Sequence, residues 1–251
     1  VEFPALSAIL PFVAVGFAAQ MIDGALGMAY GVSSNTFLLS LGVAPAAASA
    51  SVHLAEVVIT GVSGLSHWSF GNVDAYLFRR LALPGMLGGV AGAYVLTSVN
   101  GDLLKPAVSA YLAFMGAVIV ARALAGKSGS RRITRHLGKL GLAGGFCDAI
   151  GGGGWGPIVT TTLVARGNDP RFTIGSVNSA EFFVTFAQSV VFLMTIGLGN
   201  RTILLGLLTG GVLAAPLAAI LSRRLPTRAL MLAVGLLIAA LSLRTIILAW
   251  R

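Results

Sequence analysis

Long apolar runs separated by short polar breaks dominate this chain. In the first half they cover residues 6–41, 45–66, 77–98 and 102–124, and in the second 137–166, 170–195, 202–222 and 227–250. Three runs in each half have the length of one membrane-crossing helix, roughly 20 residues. No stretch alternates short apolar and polar positions as a barrel strand would. The pattern predicts an all-α polytopic membrane protein. The leading run of each half is the exception, too long for one simple span and too short for two full ones.

Its centre explains the odd length. The first copy reads Asp23-Gly24-Ala25-Leu26-Gly27 and ends at Gly31; the second runs from Asp148 through four glycines, Gly151 to Gly154, then Trp155-Gly156-Pro157. Each glycine inside a helix costs about 1 kcal/mol. Pro157 is unsuited to a helix interior but fits the first turn of a new helix, where no N–H is needed. Each leading run therefore predicts two half-helices meeting at a break in the membrane interior.

The two halves are copies of one unit. Asp23 and Asp148 lie 125 positions apart, and without a gap the same offset pairs Gly16 with Gly141, Gly27 with Gly152, Gly31 with Gly156 and Pro45 with Pro170. It also pairs Ser51-Val52 with Ser176-Val177 and Ala55-Glu56 with Ala180-Glu181. Asp, Glu and Pro are scarce here, so chance matching of Leu and Ala does not account for the agreement. A repeat of this kind organises a whole fold. The expected organisation is a first repeat over 1–124, a basic linker over 125–136 and a second repeat over 137–251, each repeat a broken segment followed by three transmembrane helices.

Composition agrees with the pattern. Of 251 residues, 56% are hydrophobic and 10% charged, with a mean hydropathy of +0.90; soluble domains carry about a quarter charged residues. The net charge of +9 sits in short loops, so it is read as membrane sorting and not as a nucleic-acid surface. The single cysteine, Cys147, excludes an intramolecular disulfide and reads as a small buried residue. The first run begins Val1-Glu2 and has neither a positive leader nor a cleavage site, so it is read as mature chain and not as a secretory signal. The absent Met indicates numbering that starts inside a longer chain.

Loop charges also bear on topology. If each broken segment turns back, the halves are inverted repeats. With the linker inside, 13 of the 17 Lys and Arg residues are then inside, leaving Lys105, Arg201, Arg244 and Arg251 outside. If the segment crosses, the halves are parallel and the split is 11 to 6. Positive-inside sorting favours inversion, with Lys127, Arg131, Arg132 and Arg135 cytoplasmic and both chain ends outside.

The breaks carry the candidate chemistry. Half-helix N-termini offer unpaired N–H groups and a positive dipole end, and two of them, near Gly27 to Gly31 and near Gly153 to Pro157, could face one small anion. Gly27, Gly31, Gly153, Gly154, Gly156 and Pro157 are read as substrate-binding backbone. Ser33, Ser34, Asn35 and Thr161 supply donors just after the breaks, although Ser and Thr also serve close helix packing. Tyr30 and Trp155, equivalent positions, either wall the cavity or pack. Asp23 and Asp148 either cap the following half-helix or carry protons. Glu56 and Glu181 sit half-way along predicted crossings, where a carboxyl marks a pathway or proton relay by default; the alternative is a neutral packing carboxyl. His53 and Asn178, three residues before them, lie on the same helix faces. His53 and Asn178 are read as substrate contacts, and Asp23, Glu56, Asp148 and Glu181 as proton-coupling groups.

At these residues the chain resembles the TauE/SafE family, the sulfite-exporter or TSUP transporters. The resemblance rests on the duplicated halves, on Asp148 to Pro157 with the Thr-rich helix start that follows, and on Asn178-Ser179-Ala180-Glu181 after Pro170. It covers essentially the whole chain; the first-half motif, Gly24 to Gly31, is degenerate. It implies export or uptake of sulfur-containing oxyanions such as sulfite, sulfoacetate or other organosulfonates, with proton-coupled export by alternating access as the leading expectation. The expected setting is a bacterial inner membrane, crossed many times. An anion channel, or a carrier of another small carboxylate or oxyanion, stays open as an alternative. A homodimer also stays open. An intramembrane enzyme is disfavoured: the chain has three His and one Cys, lacks HExxH, and shows no readable Ser–His pair. No cofactor and no metal is expected.

Overall fold

Each predicted run is helical in the computed structural model of the chain, which describes residues 6–26, 28–125, 135–197, 200–221 and 227–249. Gly27, Lys127, Arg131, Arg132, Arg223, Arg224 and Arg251, and most of the 125–136 linker, lie outside the described residues. The first half forms α1 (Leu6–Leu26), α2 (Tyr30–Ser40), α3 (Pro45–Ser69), α4 (Ala75–Ser98) and α5 (Gly101–Leu124). The second forms α6 (Leu137–Gly151), a π-helical turn (Gly156–Thr160) running into α7 (Thr161–Ala165), α8 (Pro170–Ile196), α9 (Arg201–Leu221) and α10 (Thr227–Ala249). Among the described residues no strand occurs. Both leading runs are broken, after α1 and after α6.

Local chemistry sets the helix starts. The equivalent prolines Pro45 and Pro170 open α3 and α8, where a missing N–H costs nothing. Asp74 and Asp169 cap α4 and α8, accepting from Tyr76 N at 2.9 Å and Arg171 N at 2.8 Å. Among the described residues, five stretches are long and apolar enough to cross a bilayer: α3, α4, Leu103–Leu124, Arg171–Ile196 and Met231–Leu248. At 1.5 Å per residue the 25 residues of α3 span about 37 Å, more than a hydrocarbon core of about 30 Å. Leu65, Leu83, Phe114, Met194 and Leu236 point outward, which lipid rewards and water would not. The chain is a multi-pass helical membrane protein.

Every extensive helix contact joins one half to the other: α1 with α9, α4 with α6 and α8, α3 with α8, and α5 with α10. Small residues set these contacts and their directions. Gly61 lies against Phe182 and Gly64 against Ser179, so α3 and α8 run antiparallel. Gly116 meets Ala239 while Gly235 meets Val120, so α5 and α10 do the same. Gly88 faces Leu142 and Gly92 faces Phe146, which makes α4 and α6 parallel. Gly206 meets Phe12 and Gly210 meets Phe17, making α1 parallel to α9. These directions put α1 and α3 the same way up, so α2 runs back between them. Likewise α6 and α8 run alike, with α7 reversed. The ends of α5 and α6 that flank the linker then lie at the same end of the bundle as the end of α3 and the start of α8.

Candidate functional site

The second break is built from glycine conformations. Gly152 ends α6 in the left-handed region with φ 64°, and Gly153 follows with φ 152°, which side chains on L-residues rarely adopt. Three first-half side chains satisfy the carbonyls this leaves open. Asn35 donates its amide to Gly151 O, Ser49 donates to Ala149 O at 2.6 Å, and Tyr111 donates to Gly153 O at 3.1 Å. In the first break Ala29 takes the left-handed conformation, φ 86°.

Both aspartates reach seven residues across their break. Asp23 Oδ1 accepts from Tyr30 N at 3.3 Å, and Asp148 Oδ1 accepts from Trp155 N at 2.9 Å. Each carboxylate thus meets the first N–H of the returning half-helix. The two breaks touch: a side chain on Gly31 would meet Gly153 Cα and Glu56 Oε1.

A cavity lies at this meeting point. Of the residues predicted from sequence, Asp23, Tyr30, Gly31, Glu56, Asp148, Gly153, Gly154, Gly156, Pro157, Asn178 and Glu181 line it. Ser33, Ser34, Asn35, His53, Trp155 and Thr161 do not. Ser33, Ser34 and Asn35 are buried along α2. Thr161 turns its hydroxyl onto Pro157 O. Trp155 is fully buried in an apolar cluster with Leu77, Leu81 and Val184, its indole donating to Val177 O at 3.1 Å. Only its backbone N–H belongs to the break.

His53, also fully buried, stands between the halves. Its Nδ1 is 3.3 Å from Glu56 Oε2 and its Nε2 is 3.6 Å from Asp148 Oδ2. Gln188 donates to the same Asp148 oxygen at 3.0 Å and to Gly145 O at 3.2 Å. At the equivalent places Asn178 donates to Ser63 Oγ at 3.1 Å. Sequence reading missed Gln188, Thr60 and Ser63, yet the signal was present. His53, Glu56, Thr60 and Ser63 form a polar stripe at i, i+3, i+7 and i+10, and Asn178, Glu181, Thr185 and Gln188 repeat it. That is one face of a helix.

The space open to the centre of a water-sized molecule is about 40 Å³. At about 10–15 Å³ per water this holds roughly three waters. Four carboxyls wall it, and among the described residues lining it there is no lysine or arginine. Two like charges 4 Å apart repel by about 4 kcal/mol at an effective dielectric of 20. An anion and a full set of ionised carboxylates therefore do not share this space.

Broken helices meeting around a buried polar cavity, within a multi-pass bundle made of two copies, define the architecture of a membrane transporter. The family model "Sulfite exporter TauE/SafE" matches residues 12–245, and the chain belongs to that family. It is also similar to the "Probable membrane transporter protein YtnM" of Bacillus subtilis (strain 168), with 40% identity over 252 residues covering 96% of this chain and 84% of that protein. No solved structure matches.

Proposed function

We propose that this chain is a proton-coupled secondary transporter of small sulfur oxyanions, sulfite in the first place, working by alternating access between two inverted halves. The observation that carries this reading is the cavity: two half-helix N-termini meet at a site walled by carboxyls, with no basic side chain among its described lining residues. Backbone N–H groups and the Asn178 amide supply anion donors, whereas the Thr60 hydroxyl donates to Glu56 O at 2.6 Å. Neutralising charge comes from protons taken up by the carboxyls, so anion and proton enter together. Volume supports the smallest substrate. Sulfite, with four heavy atoms, matches a space for roughly three waters; sulfoacetate, about twice that size, requires the cavity to widen.

Antiparallel packing of the equivalent helices α3 with α8 and α5 with α10 supports inversion. Eight of the described basic residues (Arg79, Arg80, Arg122, Arg135, Lys139, Arg166, Arg171 and Arg228) sit toward the linker end, against Lys105, Arg201 and Arg244 at the other. The excess supports a cytoplasmic linker in a bacterial inner membrane.

Flux of sulfite, sulfoacetate and acetate into proteoliposomes tests the reading. A pH gradient of one unit driving one proton per anion supports about tenfold accumulation of sulfite. Flux indifferent to the gradient removes the coupling. Flux that never saturates and shows no counterflow points instead to a channel, and acetate outrunning sulfite points to a carboxylate carrier. Glu181→Gln is expected to lose gradient-driven accumulation while keeping sulfite counterflow; unchanged accumulation removes Glu181 from coupling.

A further inference from the structure

Equivalent residues of the two halves have unequal surroundings in this structure, and the inequality is systematic. On the linker side of the cavity Ser63 and Asn178 are both partly exposed and both line it. Their counterparts, Gln188 and His53, are fully buried and do not line it. Ile59 is likewise partly exposed in the cavity, whereas its counterpart Val184 is fully buried. The covering helices follow suit. On α4, a side chain at Gly85 would collide with Trp155 and Val184, and one at Gly89 with Gln188. On α9, a side chain at the counterpart Gly210 would collide with α1 at Val13 and Phe17 instead, and a methyl at Gly211 would rest in ordinary contact with Ile59 at 3.6 Å and the Tyr30 hydroxyl at 3.8 Å.

We propose that His53 and Gln188 form the closed gate of a second passage, which leads from the cavity to the face opposite the linker and opens when Ser63 and Asn178 close onto Asp23. The inference rests on the alternating-access reading above and assigns the residues that carry it. The passage would run along α8 past Thr185, as its counterpart toward the linker face would run along α3 past Thr60, which lines the cavity. Its lock is Asp148: His53 approaches one of its oxygens and Gln188 donates to the same oxygen. Breaking the passage open releases this carboxyl from both side chains. On the linker side the counterparts of these contacts would run from Asn178 and Ser63 to Asp23; instead Asn178 donates to Ser63 Oγ and neither holds that carboxyl. Exchange of the two surroundings is what a two-fold relation between halves permits at little net cost, because every bond broken on one side has an equivalent that forms on the other.

Side-resolved labelling tests the gate. Thr60→Cys and Thr185→Cys are each treated in sealed vesicles of known orientation with a small membrane-impermeant methanethiosulfonate, and labelling is read peptide by peptide so that Cys147 is scored separately. In the otherwise native chain, Thr60→Cys is expected to label from the linker face and Thr185→Cys to be protected. Adding Gln188→Ala, or independently His53→Leu, removes one hold on Asp148 and is expected to raise Thr185→Cys labelling from the opposite face about tenfold, while lowering Thr60→Cys labelling. Labelling of Thr185→Cys from the linker face, no change at Thr185→Cys, or a parallel rise at both positions overturns the gate. The readout needs no substrate, so a failure to carry sulfite leaves it standing, and a failed gate leaves the flux measurements untouched.

Discussion

Ala29 holds a left-handed conformation, φ 86°, at the first break, where its Cβ crowds the following carbonyl at a cost of about 1–2 kcal/mol. Its counterpart in the second half is Gly154. Ala29→Gly is expected to raise stability by up to about 1 kcal/mol, part of the relief being offset by the freer unfolded chain; denaturant unfolding in detergent measures it. Gly153 has the opposite sensitivity. A methyl there would strike the Val32 N–H and the Gly31 backbone, and φ 152° disfavours any side chain. Gly153→Ala is expected to lower stability by more than about 2 kcal/mol and to abolish sulfite flux, since the half-helices can no longer touch. Trp155→Phe removes the indole bond to Val177 O and is expected to cost about 1–2 kcal/mol of stability while retaining flux. A Phe variant that unfolds as the native chain does yet transports nothing would put the indole at the substrate after all. Glycine runs and paired acids were legible from residue types alone. Which hydroxyls face the cavity was not, because Ser33 and Ser34 differ from Thr60 only in the rotation of their helices, and helices apolar all round carry little signal of rotation.

At the scale of elements, breaks and boundaries were readable because proline, glycine and aspartate leave local marks: Pro45, Pro170, Asp74 and Gly152 end or begin helices for reasons contained within a few residues. Partner choice was not readable. Nothing near Gly116 indicates that it packs on Gly235, since an apolar helix finds lipid and neighbour equally apolar and only fit in three dimensions decides. That contact makes a sharp test. A side chain on either glycine meets the other's carbonyl oxygen, so Gly116→Leu is expected to separate α5 from α10 and destabilise the protein by roughly 1–3 kcal/mol. Thermal unfolding in detergent reads the loss. A melting temperature unchanged from native would show that these helices do not rely on their close approach.

The whole molecule shows why the repeat was so informative in sequence yet so incomplete as a description. The 125-residue offset predicts two like units, which invites a picture of two bodies side by side. Instead each half packs its faces on the other half: α1 on α9, α4 on α6, α3 on α8 and α5 on α10. Chains cut within the linker and co-expressed are expected to assemble and restore sulfite flux, while either piece alone is degraded. Accumulation of one piece alone, folded and stable, would contradict the interlocked packing. That interlocking also has a consequence for biosynthesis. When α1 and α4 leave the ribosome, the helices they need have not been made. At about 5–20 residues per second, the 62 positions from Ala75 to Leu137 take roughly 3–12 s and the 195 from Leu6 to Arg201 roughly 10–39 s. For those intervals the first four helical segments wait in the bilayer with glycine faces turned to lipid, exposed to membrane proteases and to other nascent chains. Completion of the second half ends the vulnerability, so slow or paused translation past the linker would lower the yield of a protein whose finished form is stable.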